Sequence, residues 1–350
     1  MGFFLNLILN SIPMNIIFYP IVSFRLKVVL LFFSIGFVSE IYSQSYKGLT
    51  GIRDTSYSTK SAYEYDVKTH PSIKIVPEFH FDSVEEMRNI SYCEIGKRKL
   101  NLDVFYNTEK AKSKKIAIII IHGGGWRTGS RSQHYPMAQK LASLGYICFT
   151  PEYRLSTEAL FPAAIYDIKS VIRWVRKNAT AYNFDVNQIT VLGFSAGGEM
   201  ASFMGTTGNM PLFEGTSCNV DAKSNVNAVV DIDGTLSFVH PDGREGDDSK
   251  GISAGTYWFG YSKAENPKLW ETASPLSYVS AQTPPTLFIN SSVPWMHAGR
   301  EDYIKVLDKN GIYSEVKEFK EAPHSFCLYE PWFSPTIQYI DDFLTKVFNK

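Results

Sequence analysis

The feature that most constrains this chain is a series of unbroken apolar runs separated by segments of helix length. Lys115–Ile121 is apolar after its first residue, and Tyr146–Thr150, Gln188–Leu192, Val226–Ile232 and Pro285–Asn290 are of the same kind. A strand with one wet face alternates apolar and polar residues, whereas a run without alternation has to be covered on both faces. Helical patterns lie between the runs: His134–Leu144, Ala163–Asn178, a helix starting at Ala196, Ala298–Asn310 and Pro335–Phe348. Ser91–Ile95 and Leu100–Tyr106 are expected to pair as an opening antiparallel hairpin, and Tyr313–Phe319 supplies another strand. The pattern specifies an α/β fold, a mostly parallel sheet covered by helices on both faces.

Residues 89–350 are expected to form this single domain. Residues 45–88, rich in Ser, Thr and Tyr, read as an extended lead-in draped over it. Residues 236–278 are rich in Gly, Asp, Trp and Pro and lie between two strands. An insertion of that length in a compact domain is usually functional, and a cap over the site is expected here.

The first 44 residues differ from the rest. Arg25 and Lys27 precede the apolar run Val28–Val38, and small and polar residues follow up to Gln44. A basic flank, a short apolar stretch and a small-residue exit make an export signal, with the mature chain starting near Gln44 or Ser45. The run is shorter than the roughly 20 residues a membrane-spanning helix needs. Residues 3–22 are also apolar, which leaves an uncleaved anchor as the alternative or translation from Met14 as the explanation. The expected location is periplasmic or extracellular, without stable membrane insertion.

Lys and Arg number 35 and so do Asp and Glu, so the chain has no basic excess with which to neutralise phosphates, and nucleic acid is not an expected partner. Cys93, Cys148, Cys218 and Cys327 are not spaced as metal ligands or as a redox pair. Cys148 reads as a buried small apolar residue. A disulfide among the others is open after export, its pairing undetermined.

Chemistry is concentrated in three places. Gly193-Phe194-Ser195-Ala196-Gly197 sits between a strand and a helix. Such an elbow strains and exposes a serine hydroxyl, and its glycines let neighbouring backbone pass. His122-Gly123-Gly124-Gly125-Trp126 follows an apolar strand. Its glycines free backbone N–H groups to hold a developing oxyanion, one donor from Gly124, Gly125 or Trp126 and the other from Ala196. No Lys-Ser/Thr follows, as a phosphate loop would require. Of seven histidines, His324 is the expected general base, since it falls in the loop after the last strand, at the end of the sheet where the elbow opens. His122 is expected to hold its loop. No metal or organic cofactor is implied.

With these motifs the chain resembles the α/β-hydrolase superfamily and its HGGGW-type esterases. The resemblance covers about residues 90–350 and includes Pro151–Leu155, Phe161–Ala164 with Asp167, and Pro323-His324. The cap, with Phe288–Pro294 and His297–Arg300, is similar to exported bacterial carbohydrate esterases that include pectin methylesterases. One departure stands out. Relatives place the triad acid after the strand Pro285–Asn290, where this chain has Asn290-Ser291-Ser292-Val293-Pro294-Trp295 and no carboxylate. Asp233, at the tip of the preceding strand, is then the first choice, because some hydrolases of the fold recruit their acid there. Glu301 and Asp302 are the alternatives, and a serine–histidine dyad with a polar orienter is another.

The resemblance implies a serine carboxylesterase acting on a small ester of a plant polysaccharide, foremost the methyl ester of galacturonate. An acetyl- or feruloyl-esterase is the alternative, and an inactive carbohydrate-binding relative the reading from another class. A polyuronate needs a cation for its carboxylates, for which Arg300 is the candidate, while Arg154 is expected to tie loops together. Trp295, Trp258 and Trp270 could stack on sugar rings or pack under the cap. Glu199 is expected to be solvated or paired.

Overall fold

The computed structural model describes residues 48–109, 115–208 and 210–349. The export signal expected in residues 1–44 lies outside them. Among the described residues there are ten strands: β1 (Lys74–Ile75), β2 (Val84–Ile95), β3 (Arg98–Asn107), β4 (Lys115–Ile121), β5 (Ile147–Pro151), β6 (Phe184–Phe194), β7 (Ala228–Ile232), β8 (Thr286–Asn290), β9 (Ser314–Glu318) and β10 (Tyr329–Glu330). The helices are α1 (Thr59–Asp66), α2 (Tyr135–Leu144), α3 (Ala163–Lys177), α4 (Ala179–Tyr182), α5 (Ala196–Thr206), α6 (Pro211–Glu214), α7 (Ala254–Phe259), α8 (Pro267–Thr272), α9 (Arg300–Lys309) and α10 (Phe333–Phe348). Eight strands form one sheet in the order β2-β3-β5-β4-β6-β7-β8-β9. Strand β3 runs antiparallel to both its neighbours, and every later pairing is parallel.

The unbroken apolar runs are the parallel strands, and β4 shows why they lack alternation. All seven of its residues are buried. Ala117, Ile119 and Ile121 enter one core with Ile165, Ile168, Ile172 and Val175 of α3 and Met200 and Phe203 of α5. Ile116, Ile118 and Ile120 enter the opposite core with Met137 and Leu141 of α2 and Ile337, Ile340 and Phe343 of α10. The α3 residues recur at spacings of three, four and three, so one helical stripe faces the sheet. Each fully buried isoleucine contributes about 1.5–3 kcal/mol relative to exposure.

The lead-in is more structured than its composition indicates. Ser58 caps α1 with its hydroxyl on the Ser61 N–H, Thr50 N–H donates to the Thr157 carbonyl at 2.9 Å, and β1 pairs with β10. Strand β2 starts at Val84, inside the segment read as extended. Its period is broken by register shifts between Met87 and Ile90 and between Ser91 and Cys93, which hides it from a search for strict alternation.

The insertion 236–278 folds as short helices around an aromatic cluster. Ser253 and Asn266 cap α7 and α8. Trp258 stacks on Trp126 of the glycine loop with centroids 4.7 Å apart, and Trp270 packs against Phe259. Both tryptophans are fully buried, so packing and not sugar stacking is their role.

Cys93 of β2 and Cys218 after α6 form a disulfide across 125 residues of sequence, while Cys148 and Cys327 are free and buried. Closing so long a loop in the unfolded chain is worth about 3–5 kcal/mol. Reduction, or Cys93→Ser with Cys218→Ser, is expected to lower the urea midpoint by that amount of stability without changing the fold. An unchanged midpoint would show that the crosslink leaves the unfolded ensemble unaffected.

Candidate active site

The site forms where β4, β6, β7 and β8 end. Ser195 follows β6 and precedes α5 with φ +57° and ψ −122°, a conformation costing a non-glycine residue about 1–3 kcal/mol. The surroundings enforce it. A Cβ on Gly193 would meet the Gly197 carbonyl oxygen at 1.9 Å, and one on Gly197 would meet the Ile121 carbonyl oxygen at 2.2 Å. Only glycine fits either position, and the elbow thereby locks β6 to α5 and β4.

His324 lies in the loop after β9, its ring against Phe194. Its Nε2 is 2.8 Å from Ser195 Oγ and its Nδ1 is 2.8 Å from Asp233 Oδ2. A carboxylate only accepts, so Nδ1 carries the proton and Nε2 offers its lone pair to the serine hydroxyl. The structure thus brings Ser195, His324 and Asp233 together.

Asp233 sits just past β7, at φ +54°, and is fully buried. Ser291 donates to it twice, from N–H at 2.9 Å and from Oγ at 2.5 Å, and Asn290 Nδ2 approaches at 3.5 Å. The loop that lacks a carboxylate therefore supplies the donors that hold one from the neighbouring strand. Asp231 shapes the turn: it accepts from Gly234 N–H and from Ser202 Oγ, each at 2.6 Å. Burial, with the Asp233 charge as a smaller contribution, pushes its carboxyl up to about 7. Ser291, Asn290 and Asp231 were not singled out from the sequence. Polar residues ending apolar strands beside a candidate acid were the available signal.

Glu301 and Asp302 are committed elsewhere, Glu301 to Arg300 and Asp302 to Lys305 and His240. Arg300 donates to Asn290 Oδ1 at 2.6 Å and to Glu301, so its fork, expected to face substrate, is bound to protein. Arg154 grips Asp167 with two nitrogens and reaches the Ala163 carbonyl, as a loop tie.

Among the described residues, the N–H groups of Gly124, Gly125, Trp126 and Ala196 have no protein acceptor, whereas Gly123 N–H donates to Gln133 Oε1. Gly125, Trp126 and Ala196 line a cleft of about 130 Å³ together with Ser195 and Trp295; Gly124 does not. His122 supports the loop from beneath. Its Nδ1–H donates to the Gly123 carbonyl at 2.8 Å, and its ring stacks on Tyr153. Burial, then the Arg53 charge, drives it down to about 3, and burial alone does the same to His134. These folded-state values lie below the unfolded one, so their contribution to stability is present above about pH 6.5 and is lost as pH falls toward 3. Each is expected to cost about 1.4 kcal/mol per pH unit in that window. Urea midpoints between pH 7 and pH 4 check this, and a flat profile would contradict it.

Glu199 is buried, not solvated. It accepts from Trp126 Nε1–H at 2.9 Å, its other oxygen has no partner, and burial raises its carboxyl well above the usual range. A raised folded value makes the stabilising protonated form harder to keep as pH climbs past about 4.5. Glu199→Gln preserves the acceptor without the ionisation. Its melting temperature is expected to gain on the native protein between pH 5 and pH 8, and a constant difference would contradict a protonated Glu199.

Among the described residues no helix is long and apolar enough to cross a membrane. The mostly parallel eight-stranded sheet, helices on both faces and serine elbow define an α/β-hydrolase fold. Residues 102–293 match the BD-FAE family model, and the chain belongs to that family. It is 27% identical to esterase LipQ of Mycobacterium tuberculosis over 79% of this chain and 66% of the relative. It is also 27% identical to the probable carboxylic ester hydrolase LipM of the same organism, over 67% of this chain and 52% of that protein. The chain thus spans between about half and two thirds of these curated relatives. A truncated carbohydrate esterase from gut microbiota superposes with TM-score 0.64 at 25% identity, covering 77% of this chain and all of that one. A thermophilic esterase of the planctomycete Thermogutta terrifontis superposes at 0.61 with 23% identity, over 76% of this chain and 95% of that one, a likeness of fold.

Proposed function

We propose that the protein is a serine carboxylesterase that removes a small ester from a plant cell-wall polysaccharide, foremost the methyl ester of galacturonate in pectin. The observation that carries the proposal is the single imidazole 2.8 Å from both a strained serine hydroxyl and a buried carboxylate. In this reading Ser195 Oγ attacks the ester carbonyl as its proton passes to His324 Nε2, and Asp233 stabilises the imidazolium. Ala196 N–H with Gly125 or Trp126 N–H holds the oxyanion. His324 protonates the departing alcohol, and water then releases the acyl group by the reverse transfers. For a uronate methyl ester the polymer is the acyl half and methanol leaves first.

The small cleft at Ser195 supports a small group on one side of the ester, and it opens beside a cavity of about 600 Å³ that can take sugar residues. The likeness to a carbohydrate esterase supports the same substrate class. An acetyl ester fits the small cleft as well, and an acetyl- or feruloyl-esterase is the second reading. The Cys93–Cys218 disulfide supports an exported protein, since such bonds persist in oxidising compartments.

Purified protein incubated with methylated pectin, acetylated xylan and short p-nitrophenyl esters tests the proposal. Methanol from pectin is expected. Acetate from xylan without methanol would move the substrate to acetyl esters, and no product from any of the three would leave a carbohydrate-binding relative.

A further inference from the structure

The larger cavity carries a charge that the reaction above does not use. The other cations lining it are neutralised: Arg300 pairs with Glu301, and Lys305 with Asp302. Arg244, from the insertion, is different. Among the described residues no carboxylate lies within ion-pair distance of its guanidinium, which rests over the Trp295 ring at 4.4 Å. Arg244 and Trp295 are also the two residues that line both the larger cavity and the cleft at Ser195. A chain extending from the nucleophile into the larger cavity has to pass them. The carboxyl that shares the cleft, Glu245, is turned to the Gly255 N–H at 2.7 Å.

A guanidinium held over an indole face still has N–H groups to offer a ligand, and the contact limits its rotamers before a ligand arrives. The planar fork matches a carboxylate bidentately. We propose that Arg244, held on Trp295, is a carboxylate-binding subsite for the free uronate beside the esterified sugar, so that the protein selects acidic glycan chains. The inference rests on the uronate reading of the function and deepens it. It also assigns to Arg244 the cation expected from the sequence at Arg300.

The test is calorimetric binding of trigalacturonate and xylotriose to Ser195→Ala, alone and combined with Arg244→Gln or Arg244→Lys. Trigalacturonate is expected to bind Ser195→Ala at least about tenfold more tightly than xylotriose. Arg244→Gln is expected to remove about tenfold or more of that affinity and Arg244→Lys part of it, with high salt erasing the preference. Unchanged affinity in Arg244→Gln, or no preference for the acidic trisaccharide, would overturn the subsite. Methanol release from pectin by the native protein separates the two claims. Release together with Arg244-independent binding would sink the subsite and keep the esterase. Arg244-dependent binding without release would keep the subsite and sink the methyl ester.

Discussion

Ser195→Ala is expected to lower kcat for any ester the protein hydrolyses by on the order of 10⁴- to 10⁶-fold, with substrate affinity little changed. The size of the loss follows from the elbow. Removing Oγ deletes the attacking atom and the hydrogen bond to His324 Nε2, and among the described residues no other hydroxyl shares that contact. The residual rate is what the amides lining the cleft supply by polarising a bound carbonyl. The substitution also relieves nothing else in the elbow, because the backbone around it is fixed by Gly193 and Gly197. Turnover retained in Ser195→Ala would remove the nucleophile assignment.

Asp233→Asn is expected to lower kcat by about 10³- to 10⁴-fold, while Glu301→Gln and Asp302→Asn stay within a few-fold of the native protein. Asp233 now accepts from both Ser291 groups and from His324 Nδ1. Ser291 N–H, an obligate donor to Oδ1, fixes the amide oxygen of an asparagine there, and the NH₂ takes the Oδ2 position that faces His324 Nδ1 and Ser291 Oγ. That NH₂ donates to Nδ1, which forces the imidazole proton onto Nε2. An imidazole in that tautomer cannot take the serine proton. Melting temperature separates this from unfolding, since the isosteric amide fills the same space. A larger loss at Glu301 or Asp302 than at Asp233 would move the acid.

Much of this architecture is legible in the sequence, because the physics that builds it is local. An apolar run such as Ile116–Ile121 cannot rest with one face in water, so its doubly covered position follows from composition. The proximity of Ser195 and His324 follows from topology: parallel strands place their following loops at one end of the sheet, however far apart in sequence. The rest depends on pairings that no local pattern encodes. The bulges of β2 hide it, and the α1 cap is a short Ser58–Ser61 exchange in a segment of weak periodicity. Asp233 needs Ser291 and Asn290 from another loop, and the sequence alone, while it puts Asp233 first, keeps Glu301 and Asp302 open until their partners Arg300, Lys305 and His240 are known. Arg300 and Arg244 are a similar pair. Both guanidiniums belong to the larger cavity, and which of them is free is set by Asn290 and Glu301, whose side chains bind Arg300.

The central claim is that folding delivers one activated serine, and a fluorophosphonate probe reads it directly. Stoichiometric labelling mapped by mass spectrometry to the Ser195 peptide is expected in the native protein, slowed by about 10³-fold or more in His324→Ala, whose base no longer accepts the serine proton. A label on another residue, or an equal labelling rate in His324→Ala, would contradict it.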